Sequence, residues 1–574
     1  MKKHRLYELR HSTDGCADFS SMAAREDTVR TLLENASLER RRTELYWQRM
    51  KRYYDGAHDI VYQTDGGEPL PFKPACSPDG FIHVESQIEP DAPSFEFSPR
   101  GSYPYEAAKK RETLTELICD LNDLSAKNTV NERRLGIYGS ALFKVGWDAG
   151  AGEVTVETPR LEGFYPDPAA TELDGCEYIM NVSYMHASRA ARVFAEELAA
   201  FGEDIASCLS SDVSGIMNGS EQPFDADTVT VTECWFRQPC AGKAADTLTG
   251  QTVSFAAGDI ALSVFLNGKE IRYIPKYWQN TDAKCYPFVL YTKVPNVDAL
   301  FGKSELEPII PLIDAADREL YFAQYNAAFT SNDIILAEEN AFSDDTPPSN
   351  VPGAVWRLRP GMMGKVQRMG NLASHEAGQL GNYARWQTMM QQTTGNFDIS
   401  QGMEPARVTT ASGIALLNER AGTRKALKNR GKAEGFKRLY RLIDRTALEF
   451  YPKGRNVERD GEAFVFDRCD LARDDGYIPE LDVKIHIGDA TEGSKAFTVS
   501  AMSALIEMPI HRDNYLFVKA YAELIGLPMR KEIGEYLDRR FASAEQDASE
   551  DERISLQTLL AGILSEEPEK EREA

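Results

Sequence analysis

The sequence lacks the residue patterns that mark the common catalytic and cofactor sites. It has no G-x-x-x-x-G-K-[ST] loop, no H-E-x-x-H pair and no C-x-x-C pair. Its eight histidines are isolated from one another, and its nine cysteines are scattered. An odd number of scattered cysteines in a large chain predicts reduced thiols in a cytoplasmic compartment. No cofactor and no metal are predicted, and spacing alone supports no pair of nucleophile and base.

Long apolar runs are also missing. No segment approaches the roughly 20 apolar residues of a membrane span, so no membrane partner is expected. Because no apolar stretch follows the opening Met-Lys-Lys-His, we expect no signal peptide.

Basic residues are fewer than acidic ones: 65 Lys and Arg stand against 89 Asp and Glu, which gives a net charge of −24. Affinity for phosphate comes from Lys and Arg, so this balance argues against a general nucleic-acid coat. It remains compatible with a protein that handles DNA without holding it.

What is present predicts a multidomain α+β protein, because 574 residues with 42% hydrophobic content can form several cores. Residues 22–54 and 105–135 have helical periodicity, and residues 140–300 are rich in strand patterns. The first helix interleaves arginines with aromatics around Arg40, Trp47 and Tyr53. That pattern suits nucleic-acid binding, but we favour an amphipathic helix packed on a neighbouring surface.

Two further helices are predicted to flank a small α/β insertion: one starts near Pro308 or Pro311 and runs to residue 331, and the other covers 374–393. Ala316, Ala323 and Ala327 form a stripe of small residues on the first of them, which suits close packing between helices.

The stretch 393–451 is the most unusual part of the chain. An irregular polar segment precedes a long helix, and residues 412–451 carry ten Lys and Arg against four Asp and Glu. Three glycines and polar residues on every face predict a bend or unwound turn between Gly422 and Gly435. Its clustered cations, among them Arg420, Lys428 and Lys432, are expected mostly to pair with carboxylates.

An acidic group offers a different reading of this region. Asp470, Asp474 and Asp475 resemble metal ligands if Asp444 joins them, although an acidic turn is the simpler interpretation in a chain with 89 carboxylates.

The order of several segments resembles that of the portal, or head–tail connector, proteins of tailed bacteriophages. These segments are 135–148 (LGIYGSALFKVGWD), 164–168 (FYPDP), 302–313 (GKSELEPIIPLI), 394–402 (TGNFDISQG) running into 410–420 (TASGIALLNER), and 483–488 (VKIHIG). None is specific alone, and the resemblance lies in their order and spacing over most of the chain.

The resemblance implies a portal-like fold with a strand-rich wing, a two-helix stem, a small α/β clip, a long kinked helix and a helical crown. The implied parts are a wing at 1–300, a stem helix at 301–331, a clip at 332–373, a second stem helix at 374–393, a tunnel loop at 394–411, the long wing helix and strands at 412–490, and a crown with an acidic tail at 491–574.

The resemblance also implies the function, a channel at the portal vertex of the virion through which double-stranded DNA is packaged and ejected. The chain would form a homo-oligomeric ring, usually of twelve subunits, assembled in the host cytoplasm. Its partners would be the terminase packaging motor, a head-completion or adaptor protein, and capsid and scaffolding proteins. Asn396, Gln401, Arg407 and Thr409 of the tunnel loop would face DNA. Ala316, Ala323 and Ala327 of the stem would lie at the subunit interface.

Two other functions stay open on the sequence. One is a metal-dependent DNA-processing enzyme that uses Asp470 or Asp474. The other is a capsid structural or scaffolding protein that binds protein and never DNA.

Overall fold

The computed structural model of this chain combines α-helices and β-sheets, which confirms the α+β class. It describes residues 21–58, 75–101, 103–199, 228–247, 249–330, 334–343, 357–369, 376–394, 411–459, 462–472, 478–486, 509–510, 514–519, 530–542 and 554–555. The chain divides into two compact units, Met1–Ile485 and His486–Ala574.

The α-helices of the described residues are, in chain order, α1 Met22–Tyr54, α2 Asp79–Glu85, α3 Tyr105–Leu121, α4 Leu124–Tyr138, α5 Ala187–Val193, α6 Ala195–Ala199, α7 Ile310–Thr330, α8 Glu376–Thr394, α9 Ala411–Phe450 and α10 Arg530–Leu537.

The strands are β1 Ser94–Ser98, β2 Ser140–Asp148, β3 Glu153–Glu157, β4 Phe164–Pro166, β5 Tyr178–His186, β6 Thr228–Arg237, β7 Gly242–Ala245, β8 Thr252–Phe255, β9 Ile260–Leu266, β10 Lys269–Ile274, β11 Phe288–Thr292, β12 Ile334–Ala337, β13 Val366–Met369, β14 Arg455–Arg459, β15 Glu462–Phe466, β16 Asp482–His486, β17 Pro509–Ile510 and β18 Ile554–Ser555.

Two sheets organise the first unit. One has five strands in the order β10-β9-β6-β5-β4, and the other has three in the order β11-β2-β3. Two-stranded pairs β1-β16, β7-β8, β12-β13 and β14-β15 surround them. The largest hydrophobic core takes side chains from both sheets and from α3 and α9. The strand-rich reading of residues 140–300 is therefore confirmed.

The first helix, α1, packs against the strands, as the favoured interpretation predicts. Ser21 caps its start, and Gly56 ends it with a left-handed φ of 62°. Arg40 is buried and donates to the carbonyl oxygens of Leu161 and Phe164. Trp47 is buried in the main core. These side chains hold the helix in place and are not free to contact nucleic acid.

The helix predicted over 105–135 is wrong as a single element, because α3 and α4 are separate. Asn122 leaves the helix to bond with strand β3: its amide donates to the Val154 oxygen at 2.8 Å and its oxygen accepts from the Val156 nitrogen at 2.8 Å. Asp123 then takes a left-handed φ of 48°. The strand offers Asn122 hydrogen bonds that a continuing helix would leave unused.

The unwound turn that was one option between Gly422 and Gly435 is wrong, since α9 is one uninterrupted helix of 40 residues. Phe436, Leu439 and Ile443 are fully buried on its inner face. Gly431 and Gly435 serve close packing instead of flexibility. A Cβ atom at Gly435 would lie 2.5 Å from the Tyr291 ring, and one at Gly431 would collide with the Thr292 carbonyl oxygen.

Helices α7 and α8 form an antiparallel pair, as two hydrogen bonds between them show. Asn326 donates to Gln379 at 3.0 Å, and further along Asn382 donates to Glu319 at 3.4 Å. The chain between them contains the antiparallel pair β12-β13, in which Ile334 faces Met369. Two flanking helices with a small strand-containing insertion are thus confirmed.

The sequence Phe164-Tyr165-Pro166-Asp167-Pro168 predicts a turn, but Phe164–Pro166 is a strand that pairs with β5. Strands β7 and β8 have no prediction, because each has only four residues and half of these are exposed.

The second unit, His486–Ala574, is described only in pieces. Strands β17 and β18 pair, and Ile510, Ile533 and Leu537 are buried. The helix expected over 530–541 is α10 continued by one π-helical turn, Asp538–Ala542. The apolar spacing from Ile554 onward predicts a short helix, but its first two residues, Ile554–Ser555, form a strand.

The close approach of α9 to β11 predicts that Gly431→Ala destabilises the first unit. Alanine is the better helix former by up to about 1 kcal/mol, so propensity alone would stabilise the protein. The collision with Thr292 should outweigh that gain and cost about 1–3 kcal/mol. Gly378→Ala on α8 is the matched control, because nothing lies within 4 Å of a Cβ there.

Urea unfolding followed by tryptophan fluorescence measures the effect, since all six tryptophans precede residue 486. A Gly431→Ala protein as stable as the Gly378→Ala protein would show that the two elements are not in tight contact.

Candidate functional site

The candidate site lies beside the inner face of α9, where buried charges from four segments meet. The side chain of Glu132, on α4, is fully buried and contacts two lysines. Lys293, which follows β11, lies 2.7 Å from Glu132, and Lys432 of α9 lies 3.0 Å from it. Lys432 also lies 3.2 Å from Glu89. One carboxylate thereby joins a helix, a strand end and the long helix.

A second carboxylate, Glu305, extends this charge cluster toward the start of α7. It is buried, and Lys428 of α9 lies 3.1 Å from it. His83 on α2 is also buried and is influenced by the charge of Glu305. Sequence reasoning singled out Lys428 and Lys432 and missed Glu132, Glu305 and Lys293.

The pKa values follow from burial and pairing. Burial alone lowers the pKa of Lys293, but the charges of Glu132 and Glu305 outweigh it and raise the pKa. Burial alone raises the pKa of Glu305, yet Lys293 and Lys428 bring it below its usual value. Burial lowers the pKa of His83 to about 4. Lys293 and Glu305 are therefore charged at neutral pH, and the histidine beside them is neutral.

A cavity of about 1040 Å³ opens next to the cluster. Its walls come from β11, from the start of α7, from Thr393 and Thr394 at the end of α8, and from the face of α9 that carries Arg430 and Arg438. Both arginines are exposed. One side of the cavity therefore carries buried lysines paired with carboxylates, and another side carries exposed arginines. The cavity adjoins Thr394, the residue before 395–410.

The pairing expected for the cations of α9 is confirmed for Lys428 and Lys432. Arg430 departs from it, because it is exposed and no carboxylate of the described residues pairs with it. The side chains of Arg420, Arg424 and Lys425 lie outside the described residues.

The tunnel-loop residues Asn396, Gln401, Arg407 and Thr409 also lie outside the described residues, so their contact with DNA stays a prediction.

The stem alanines are within the described residues. Ala316 and Ala323 are already buried by the chain itself, and Ala327 is half-buried. Ala316 packs in a core with Met50, Ile313 and Met390 of the same chain. Their small size is used inside one chain, and a role between subunits stays a prediction.

The acidic group considered as a metal site is only partly described. Asp444 is buried and paired with Arg111, at 2.9 Å between Nε and Oδ1. Asp470 is exposed, and Asp474 and Asp475 lie outside the described residues. Among the residues with described positions, no group of three or more His, Cys, Asp or Glu could hold a metal ion.

Comparison with known proteins assigns no family. No protein-family model matches the sequence, and a search of curated proteins finds no match. Within the described part of the chain, no helix has the length and apolar character that a membrane crossing requires.

The charge cluster predicts that Glu132→Gln strongly destabilises the first unit. The substitution leaves Lys293 and Lys432 buried without this carboxylate, and removing one member of a buried ion pair typically costs about 3–5 kcal/mol. Glu338→Gln is the control, because it breaks the pair with Lys365, whose side chains are 53% and 57% exposed. Such exposed pairs contribute about 0–1 kcal/mol. Equal urea midpoints for the two variants would contradict a structural role of the cluster.

His83 predicts a loss of stability in mild acid. The unfolded imidazole takes up a proton near pH 6.5, whereas the folded one stays neutral down to about pH 4. Stability from this group is therefore present above pH 6.5 and is lost as the pH falls toward 4, by up to about 3 kcal/mol.

Comparing the free energy of unfolding at pH 7 and pH 5 checks this expectation. His83→Gln should reduce the difference, and His186→Gln, at an exposed position, should leave it unchanged. An unchanged difference in the His83 variant would remove this histidine as the cause.

Proposed function

We propose that this chain is a ring-forming portal protein of a tailed phage, which makes the channel for packaging and ejection of double-stranded DNA. In this proposal the first unit supplies wing, stem and clip, and the second unit supplies the crown.

The observation that carries the proposal is the order of elements from α7 to α9. An antiparallel helix pair encloses a two-stranded insertion, a polar segment follows, and a 40-residue helix then packs on the three-stranded sheet. The sequence resemblance requires this succession of stem, clip, stem, tunnel loop and wing helix. A kink in the long helix is not part of the proposal, because α9 is uninterrupted.

The charges of α9 also favour a conduit that DNA passes without being trapped. Each phosphate that a Lys or Arg neutralises adds to affinity and so slows sliding. Lys428 and Lys432 are paired within the chain, which takes them out of this role. In this proposal, the exposed Arg430 and Arg438 and the tunnel-loop residue Arg407 supply the basic charge that meets DNA.

Exposed apolar side chains on the helix pair favour assembly. Phe322 on α7 is 43% exposed, and Leu380 and Met389 on α8 are each 46% exposed. In a ring, neighbouring subunits would cover such residues and gain roughly 25 cal/mol for each Å² of apolar surface buried. The terminase motor, the adaptor and the capsid and scaffolding proteins follow as partners from the proposed class.

Negative-stain images of the purified chain test the proposal. Rings with a central hole are expected, whereas a globular monomer would contradict the proposal and favour the enzyme alternative. A closed assembly without a hole would favour a scaffolding role.

The exposed helix residues give a sharper prediction. Phe322→Asp combined with Met389→Asp should abolish rings, because both positions would carry charge into a covered interface. The monomer should keep its urea midpoint, since both side chains are partly exposed within the chain. Val297→Asp, at a position 93% exposed, is the matched control and should still form rings. Light scattering gives the mass, and full-size rings from the double variant would rule out this interface.

A further inference from the structure

A second cavity, of about 800 Å³, lies further along α9, toward its C-terminal end, and has an unusual balance of charge. Six basic residues line it, against three acidic ones, although the whole chain carries −24. The basic residues are Arg100, Arg111, Lys284, Arg441, Arg445 and Arg468.

The three acidic residues of this cavity are already engaged. Arg111 binds Asp444 through two nitrogen atoms, and Arg445 binds Glu480. Asp282 lies 2.5 Å from Lys276. The cavity therefore keeps an excess of positive charge after its own carboxylates are paired.

Arg441 is the clearest uncompensated group. Its Nε atom is buried, and no hydrogen-bond acceptor of the described residues reaches it. Its nearest carboxylate, Asp482, lies 3.7 Å from Nη2. That carboxylate already accepts a 2.8 Å hydrogen bond from Arg100. The Arg441 side chain as a whole is 30% exposed, so a ligand oxygen would meet the guanidinium at its accessible edge and not at the buried Nε atom.

Two further cations, Arg468 and Lys284, line the same cavity. Arg468 donates to the carbonyl oxygen of Asn280, which carries no charge to balance it. Lys284 is exposed. The buried side chains of Phe97 and Leu448 add surfaces of low polarity to the same cavity. Such walls concentrate the field of the cations within the cavity.

We propose that this cavity binds a small multivalent oxyanion of the phosphate class, held by Arg441, Arg468 and Lys284. Guanidinium groups present paired N–H donors that match phosphate oxygens. A divalent metal ion would be repelled, because Arg111 neutralises the one buried carboxylate, Asp444. The proposal does not depend on the portal function, and the ligand source is free pyrophosphate or the phosphates of a nucleotide.

Calorimetric titration of the full-length chain with pyrophosphate, at constant ionic strength in chloride buffer, tests the proposal. Saturable binding is expected. Arg441→Gln should weaken it about tenfold or more, because one charge-assisted hydrogen bond is worth roughly a factor of ten. Arg468→Gln should weaken it in the same direction.

Arg30→Gln is the matched control, since Arg30 is exposed on α1 and remote in sequence from the cavity. It should leave the affinity unchanged, and a urea titration of each variant establishes that it is folded. A second titration with ADP separates the two sources. If ADP binds more tightly than pyrophosphate, the apolar wall contacts a nucleotide base. If ADP binds equally or more weakly, the ligand is an inorganic oxyanion.

Unsaturable heats with pyrophosphate would overturn the proposal. So would equal weakening by Arg441→Gln and Arg30→Gln, because it would indicate a general charge effect. An Arg441→Gln protein that is folded and binds as the unchanged chain does would overturn it as well.

Discussion

The buried carboxylate of Glu132 is the constraint on which the middle of the first unit depends. A charge without water must be paired, and the pairing here comes from Lys293 and Lys432, which belong to segments far apart in the chain. The helix, the strand end and the long helix cannot separate without stranding a charge. The cluster therefore specifies which segments meet, while the apolar core around Phe436 supplies most of the burial.

Local patterns predicted most elements, because spacing of apolar residues reports which face of an element is buried. Helical spacing of Phe436, Leu439, Ile443, Ala447 and Phe450 predicts the inner face of α9; the first four are fully buried and Phe450 is partly buried. The end of α1 follows from Gly56, whereas its Ser21 cap is seen only in the structure. The β9-β10 hairpin followed from Asn267-Gly268, and both residues have a positive φ.

Features that depend on distant segments escaped prediction. Gly431 and Gly435 are interpreted from the sequence as a flexible point in the helix, because the neighbouring residues do not show that strand β11 packs against them. Asn122 read as a helical residue, because its partners Val154 and Val156 lie on a strand. The sequence predicts that the cations of α9 pair with carboxylates, but the periodicity of one helix does not identify Glu132 or Glu305 as the partners. Of the candidate site, the sequence indicated Lys428, Lys432 and the adjoining loop, and only the fold shows Lys293 and the carboxylates that pair with these lysines.

The two glycines on α9 have a consequence for movement. They lie one helical turn apart, each against the backbone or ring of β11. If the helix slid by one turn in either direction, Leu427 or Leu439 would enter a gap that admits only a hydrogen atom. The helix can therefore pack on strand β11 in only one register. A force applied along the axis of α9 would therefore be transmitted to the three-stranded sheet, because the helix cannot slide along β11.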